Sequence, residues 1–208
     1  QRIVVMEGDP LEVFKYIHKR YLIHHVFSHQ ETGLRQTYQC DLQLKDFFIE
    51  SSILWKEFQR NGVLRGLKNR DTWRKAWYSY MNSRIEQIDL SQLPQSPPLN
   101  SIEEYKWPST ITTRNKHFQR VGITEAQDTM NSFLTERGRY YMQNISKPET
   151  STLHCSRLSP FLVYGNLSIR QVFQASTNQE EFGWKRNMAS FRSRLRWHDH
   201  FIQKFEIF

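Results

Sequence analysis

At 208 residues and 25.2 kDa, with 38% hydrophobic residues, the chain is long and apolar enough for one large domain or two small ones, and it is not a disordered polymer. A formal charge of +8 and a pI near 9.6 favour an anionic partner such as nucleic acid. Cys40 and Cys155 stand far apart without metal-ligand spacing, so reduced thiols of an intracellular protein and no readable metal site are expected, and no apolar run reaches membrane-span length, so a soluble protein with no membrane partner is expected.

In chain order, Ile3 to Met6 is a β-branched and apolar run that reads as a strand. Asp9-Pro10-Leu11-Glu12 then supplies an N-cap, a proline for the first turn and a carboxylate for a capping box. Leu11, Phe14, Ile17 and Tyr21 follow at helical spacing, and Ile23 to Ser28 reads as a second strand, which makes a βαβ unit. The loop His29 to Gly33 then lies beyond a strand's carboxyl end, where it is either a site lip or an ordinary connection. Leu34, Tyr38, Leu42 and Phe48 or Ile49 predict an amphipathic helix, and Leu54 to Phe58 a third strand. Asn69 to Ile85 predicts a helix with Trp73, Trp77, Tyr80 and Arg84 on a packing face. Prolines at 94, 97, 98 and 108 break both periodicities between Asp89 and Ser109, a stretch expected to wrap along a surface.

The fold class is therefore α/β then all-α, with a partial parallel α/β domain over residues 1–88, a linker over 89–115 and a helical domain over 116–208. Gln1 leads at once into a strand pattern and Phe208 stops inside an amphipathic one, so the chain is expected to be a piece of a longer protein. The second half opens on a capping box at Thr124 to Gln127 and a stripe of Ala126, Met130, Phe133, Leu134 and Arg137. Ser146 to His154 reads as a loop. Ser159 before Pro160 reads as an N-cap, which sets Cys155 to Ser159 at the positive end of a helix with the hydroxyls of Ser156 and Ser159 and the fork of Arg157 nearby. These residues either grip a phosphate or pyrophosphate, or the serines only cap and Arg157 is solvated. Ser168 to Gln171 caps a further helix. The last helix, Trp184 to Phe208, carries Trp184, Met188, Phe191, Leu195, Ile202 and Phe205 on one face, with His198 in the gap, bonded inward to backbone or to a ligand.

Three blocks in one order resemble the photolyase/cryptochrome family. Ser156 to Leu162, Tyr164 to Arg170 and Leu195 to Ile202 look like the start of its FAD-binding helical domain. Gly8 to Pro10, Val26 to Gly33 and Gln59 to Val63 look like the later part of its α/β (Rossmann-like) antenna domain. The resemblance implies FAD as cofactor, an antenna chromophore in the complete protein (folate, deazaflavin or flavin) and damaged DNA as partner; a monomer is expected, and the reduced thiols make it an intracellular one, cytoplasmic if prokaryotic. Cofactor-binding residues by the same resemblance are Tyr141, Cys155, Ser156, Arg157, Leu158, Ser159, Phe191 and His198, and the DNA-binding residues are Arg194 and Trp197. No catalytic residue and no metal ligand is expected within these residues.

Three positions depart from the family. Many relatives have an arginine at the position of His198, several photolyases have a glutamate at that of Arg194, and a threonine is common where Cys155 stands. A titratable ring thus replaces a permanent charge, and a cation replaces a group that bonds the substrate bases. The implied activity is that of a DNA photolyase, with this piece inactive by itself. A cryptochrome photoreceptor without repair and a flavin-free nucleic-acid-binding module are the alternatives.

Overall fold

The structure is a computed structural model, and it describes residues 3–32, 34–87, 89–92, 102–112, 115, 117–178 and 184–207. Gly33, Phe208 and the prolines at 94, 97 and 98 lie outside the described residues. The chain divides into two units, one made of residues 1–58 with 86–117 and the other of residues 59–85 with 118–208. The helical unit therefore takes in residues 59–85, which the division at residue 88 gives to the first domain.

The first unit begins with α1 (Pro10–Arg20), whose N-cap Asp9 accepts hydrogen bonds from the backbone N–H groups of Leu11 and Glu12 at 2.9 and 3.3 Å. Glu12 pairs with Lys15 at 2.9 Å. Ile3 to Met6 forms no strand; among the described residues its carbonyl at Val5 accepts from Tyr105 N–H at 2.8 Å. The parallel crossover lies one step later, as β1 (His25–His29), α2 (Arg35–Glu50) and β2 (Leu54–Phe58), with His25 opposite Leu54 and His29 opposite Phe58.

One sheet face turns Val26 and Trp55 onto a small core of Leu44, Phe48 and Ile53, joined by Leu11 and Phe14 of α1. The Phe48 ring meets Phe14 at 4.9 Å and Trp55 at 5.3 Å, both edge to face. The buried line of α2 is thus Leu44 and Phe48, while Leu34, Tyr38, Leu42 and Ile49 of the predicted stripe are exposed. Among the described residues of the 89–115 stretch, Ile102 is buried and Tyr105 N–H donates to the Val5 carbonyl.

The second unit is helical: α3 (Trp73–Met81), α5 (Ile123–Thr135), α6 (Tyr141–Asn144), α7 (Pro148–His154), α8 (Ser159–Val163), α9 (Ile169–Asn178) and α10 (Lys185–Ile207), with α4 (Ser109–Thr112) belonging to the first unit. Its core joins Trp73, Trp77 and Met81 to Phe133, Phe173 and Met188. The α3 helix is shorter than predicted because Asn69 turns the chain by accepting from Asp71 N–H at 3.1 Å, which leaves the start to Trp73. The carbonyl of Met81, its last residue, and that of Ser83 beyond it are taken up by α9, where Gln174 donates to each at 2.8 Å.

Three local expectations change. The α5 helix starts after Gly122, at φ 123°, so Thr124 lies inside it and caps nothing. Ser146 to His154 is not a loop, since Pro148 opens α7. The N-cap of α8 is Leu158, with no side-chain capping bond, so Ser159 is the first helical residue. The capping box before α9 closes as predicted: Ser168 Oγ accepts from Gln171 N–H at 3.1 Å and Gln171 Oε1 accepts from Ser168 N–H at 2.8 Å. Among the described residues no helix is long and apolar enough to cross a membrane.

Candidate functional site

The turn between α7 and α8 has an uneven supply of hydrogen-bonding groups. Arg137, in the 3-10 turn that follows α5, donates to the carbonyls of Cys155 at 2.5 Å and Ser156 at 3.3 Å, and also to Thr129 O and Ser132 Oγ. The Arg157 carbonyl accepts from Gln119 at 3.1 Å, and that of Leu158 from Leu162 N–H at 3.0 Å. Every carbonyl from Cys155 to Leu158 is therefore taken. The backbone N–H groups of Ser156 to Ser159 have no acceptor among the described residues. Arg157 sits at φ 57°, in the left-handed region, which turns the chain sharply here. A turn whose acceptors are occupied and whose donors are not is suited to an anion.

Leu158 is buried and Arg157 and Ser159 are exposed, so the turn is anchored from one side and open on the other. The Cys155 thiol is pushed up by burial, with Arg137 and Arg157 pulling the other way. The Arg137 guanidinium is lowered from its usual range chiefly by burial, then by Arg157.

Tyr141 and Phe191 share one aromatic cluster with Phe133. The ring pairs lie 5.6 Å (Tyr141 and Phe133), 4.7 Å (Phe133 and Phe191) and 5.7 Å (Tyr141 and Phe191) apart. Burial pushes the Tyr141 hydroxyl up to about 12, with Cys155 raising it further and Arg194 lowering it. The hydroxyl has no hydrogen-bond partner among the described residues. Tyr141 is thus within electrostatic reach of the 155–159 turn on one side and of α10 on the other. Farther along α10, the Arg194 guanidinium lies over the Trp197 ring, 4.2 Å from its centre, with Trp197 45% exposed.

His198 does not point into the core. The buried face of α10 runs Met188, Phe191, Leu195, Asp199 and Gln203, stepping by four residues after Phe191, while Phe205 is exposed. Asp199 is fully buried: Oδ2 accepts from Gly62 N–H at 2.7 Å and from Trp77 Nε1 at 2.8 Å, and Oδ1 meets His198 Nδ1 at 2.9 Å. Gln203 brackets Leu64, accepting from its N–H at 2.7 Å and donating to its carbonyl at 2.8 Å. The inward polar residues are therefore Asp199 and Gln203, and His198 stays half exposed on the rim. No described contact joins His198 or Trp197 to the 155–159 turn.

Sequence reasoning missed Asp199, Gln203 and Arg137. For the first two the signal was the four-residue step from Leu195, hidden because Ile202 and Phe205 offered an apolar alternative at similar spacing. Nothing in the local sequence marks Arg137 as the residue that ties off the turn.

No family model matches the chain, and no curated protein matches it. Among solved structures, a bacterial class III photolyase from Agrobacterium tumefaciens superposes with a TM-score of 0.68 at 18% identity, over 100% of this chain. The chain has a photolyase-like fold. It spans 46% of the length of that photolyase. A small parallel sheet followed by helices is the order expected of a partial α/β unit leading into a helical one, and the photolyase-like fold accounts for both.

Proposed function

We propose that this chain provides part of an antenna domain and the first part of the FAD-binding domain of a blue-light-dependent flavoprotein, a DNA photolyase acting on pyrimidine dimers. The observation that carries the reading is the turn at Ser156 to Ser159, whose N–H groups lack acceptors while its carbonyls are all bonded. Paired phosphates of a dinucleotide match that donor set, and the residues present fit the group. Cys155 to Ser159 would hold the diphosphate, with the hydroxyls of Ser156 and Ser159 and the Arg157 fork as further donors. Tyr141 and Phe191 would lie toward the ring system. When bound, reduced FAD supplies the light-driven electron that opens a dimer.

What this chain's own residues contribute is binding and placement. Arg194 and Trp197 form one cation-backed indole face suited to an extruded base. The surplus of cations, +8 overall, suits a DNA backbone.

The test is made on the protein as its gene encodes it. Ser156→Ala with Ser159→Ala is expected to lower FAD occupancy, read from the absorbance ratio of flavin to protein. Unchanged occupancy would remove the turn from the flavin site. Blue-light repair of a dimer-containing oligonucleotide then separates a photolyase from a cryptochrome, which would hold the flavin and leave the dimer intact.

A further inference from the structure

Arg137 directs its guanidinium at neutral oxygens. Its Nε donates to Ser132 Oγ at 3.0 Å, one terminal nitrogen to the Cys155 carbonyl at 2.5 Å, and the other to the carbonyls of Thr129 at 2.9 Å and Ser156 at 3.3 Å. Among the described residues it has no ion-pair partner. The group is half-buried, and Arg157 adds a second cation close enough to act on it. A cation kept partly out of water with no carboxylate beside it is costly, so its bonds call for an explanation.

The geometry of the peptide unit supplies one. In a trans peptide the C=O and the following N–H point in opposite directions, and no peptide bond among the described residues is cis. Drawing the Cys155 and Ser156 carbonyls onto Arg137 therefore turns the N–H groups of Ser156 and Arg157 away from it. Gln119 does the same one step on, because its bond to the Arg157 carbonyl at 3.1 Å turns the Leu158 N–H the other way. Arg157 at φ 57° is followed by Leu158 at φ −91° and ψ −7°. Adjacent residues of opposite hand bring successive N–H groups together around a hollow that suits an anion. The outward donors are thus a consequence of what grips the carbonyls behind them.

We propose that Arg137 is a positioning residue for the diphosphate turn: it touches no ligand, and by holding the Cys155 and Ser156 carbonyls it keeps the N–H groups of Ser156 and Arg157 facing phosphate oxygens. The proposal rests on the diphosphate reading for the kind of ligand. Its new content is that the fork of Arg137 matters and its charge does not. A lysine, with one nitrogen, cannot reach oxygens on α5 and on the turn at once.

The experiment takes inorganic pyrophosphate as the probe and follows the backbone amides of Ser156 to Ser159 by two-dimensional NMR of the whole chain. In the parent those amides are expected to shift as pyrophosphate is added. Arg137→Lys keeps the charge and Arg137→Gln removes it, and both are expected to weaken the binding about tenfold or more, the worth of one hydrogen bond to a charged group. Val172→Ala opens a cavity at a fully buried position of the same core and should lower the melting temperature while leaving the pyrophosphate affinity unchanged. Retained affinity in Arg137→Lys would overturn the proposal, since charge would then suffice. So would a parent whose Ser156 to Ser159 amides ignore pyrophosphate, or a loss in Val172→Ala equal to that in the Arg137 variants. Flavin occupancy of the protein as its gene encodes it separates this proposal from the reading beneath it. A pyrophosphate response that depends on Arg137, in a protein whose occupancy is indifferent to Ser156→Ala with Ser159→Ala, would sink the flavin reading and keep the positioning role. Occupancy that falls with the two serines and ignores Arg137→Lys would do the opposite.

Discussion

Tyr141 shows what a single side chain's surroundings can dictate. Its ring closes an aromatic cluster with Phe133 and Phe191, and its hydroxyl is pushed up to about 12 because the phenolate would lose most of its hydration there. Since the folded-state pKa is raised, the folded chain holds this proton at pH values where the unfolded chain releases it. Stability is therefore fully present below about pH 10 and falls as pH rises toward 12. Tyr141→Phe keeps the ring packing and deletes the ionisable group. It should change the melting temperature little at neutral pH, flatten the alkaline loss, and remove the last tyrosine to ionise in an ultraviolet absorbance titration. An alkaline stability curve identical to that of the parent would show that the phenol is not enclosed as described.

At the scale of elements, the decisive contact is between α10 and the segment Gly62 to Leu64. A Cβ added at Gly62 would lie 2.1 Å from Trp77 Cδ1 and 2.9 Å from Asp199 Oδ2, so only glycine lets the loop approach both. Asp199→Ala would leave the Gly62 N–H and the Trp77 indole N–H buried without an acceptor, at about 1–3 kcal/mol each. The expected loss is about 3 kcal/mol or more by urea denaturation, whereas His198→Ala, at a half-exposed ring, should cost about 1 kcal/mol or less. Equal losses would mean that the inward-facing residue is His198 after all. The capping box at Ser168 and the N-cap at Asp9 were legible in the sequence because both motifs close within three residues of chain. The facing of α10 was not, because two lines of apolar residues leave Leu195, and only the partner surface at Trp77 and Gly62 selects between them. Similarly, α2 offered Leu34, Tyr38 and Leu42 as a stripe, yet Phe14 and Trp55 select Leu44 and Phe48.

For the whole molecule, the α/β-then-helical order was readable from periodicity, and the boundary of the helical unit was not. A composition change at the prolines marks where regular structure ends, but membership of a core depends on which surfaces meet. Trp73, Trp77 and Met81 are all buried in the cluster formed by α5, α9 and α10, and the bonds from Asp199, Gln203, Arg170 and Gln174 all reach back to residues 62–84. A chain of residues 118–208 alone would expose the surfaces that two Trp and one Met now cover. It would also leave the fully buried Asp199 carboxyl without the Gly62 and Trp77 donors. That shorter chain is expected to be helical yet to melt without a sharp transition, while residues 59–208 should melt cooperatively, as judged by near-ultraviolet circular dichroism during heating. A sharp transition from 118–208 alone would mean that residues 59–85 only decorate the helical unit, and the core described here would have to be redrawn without them.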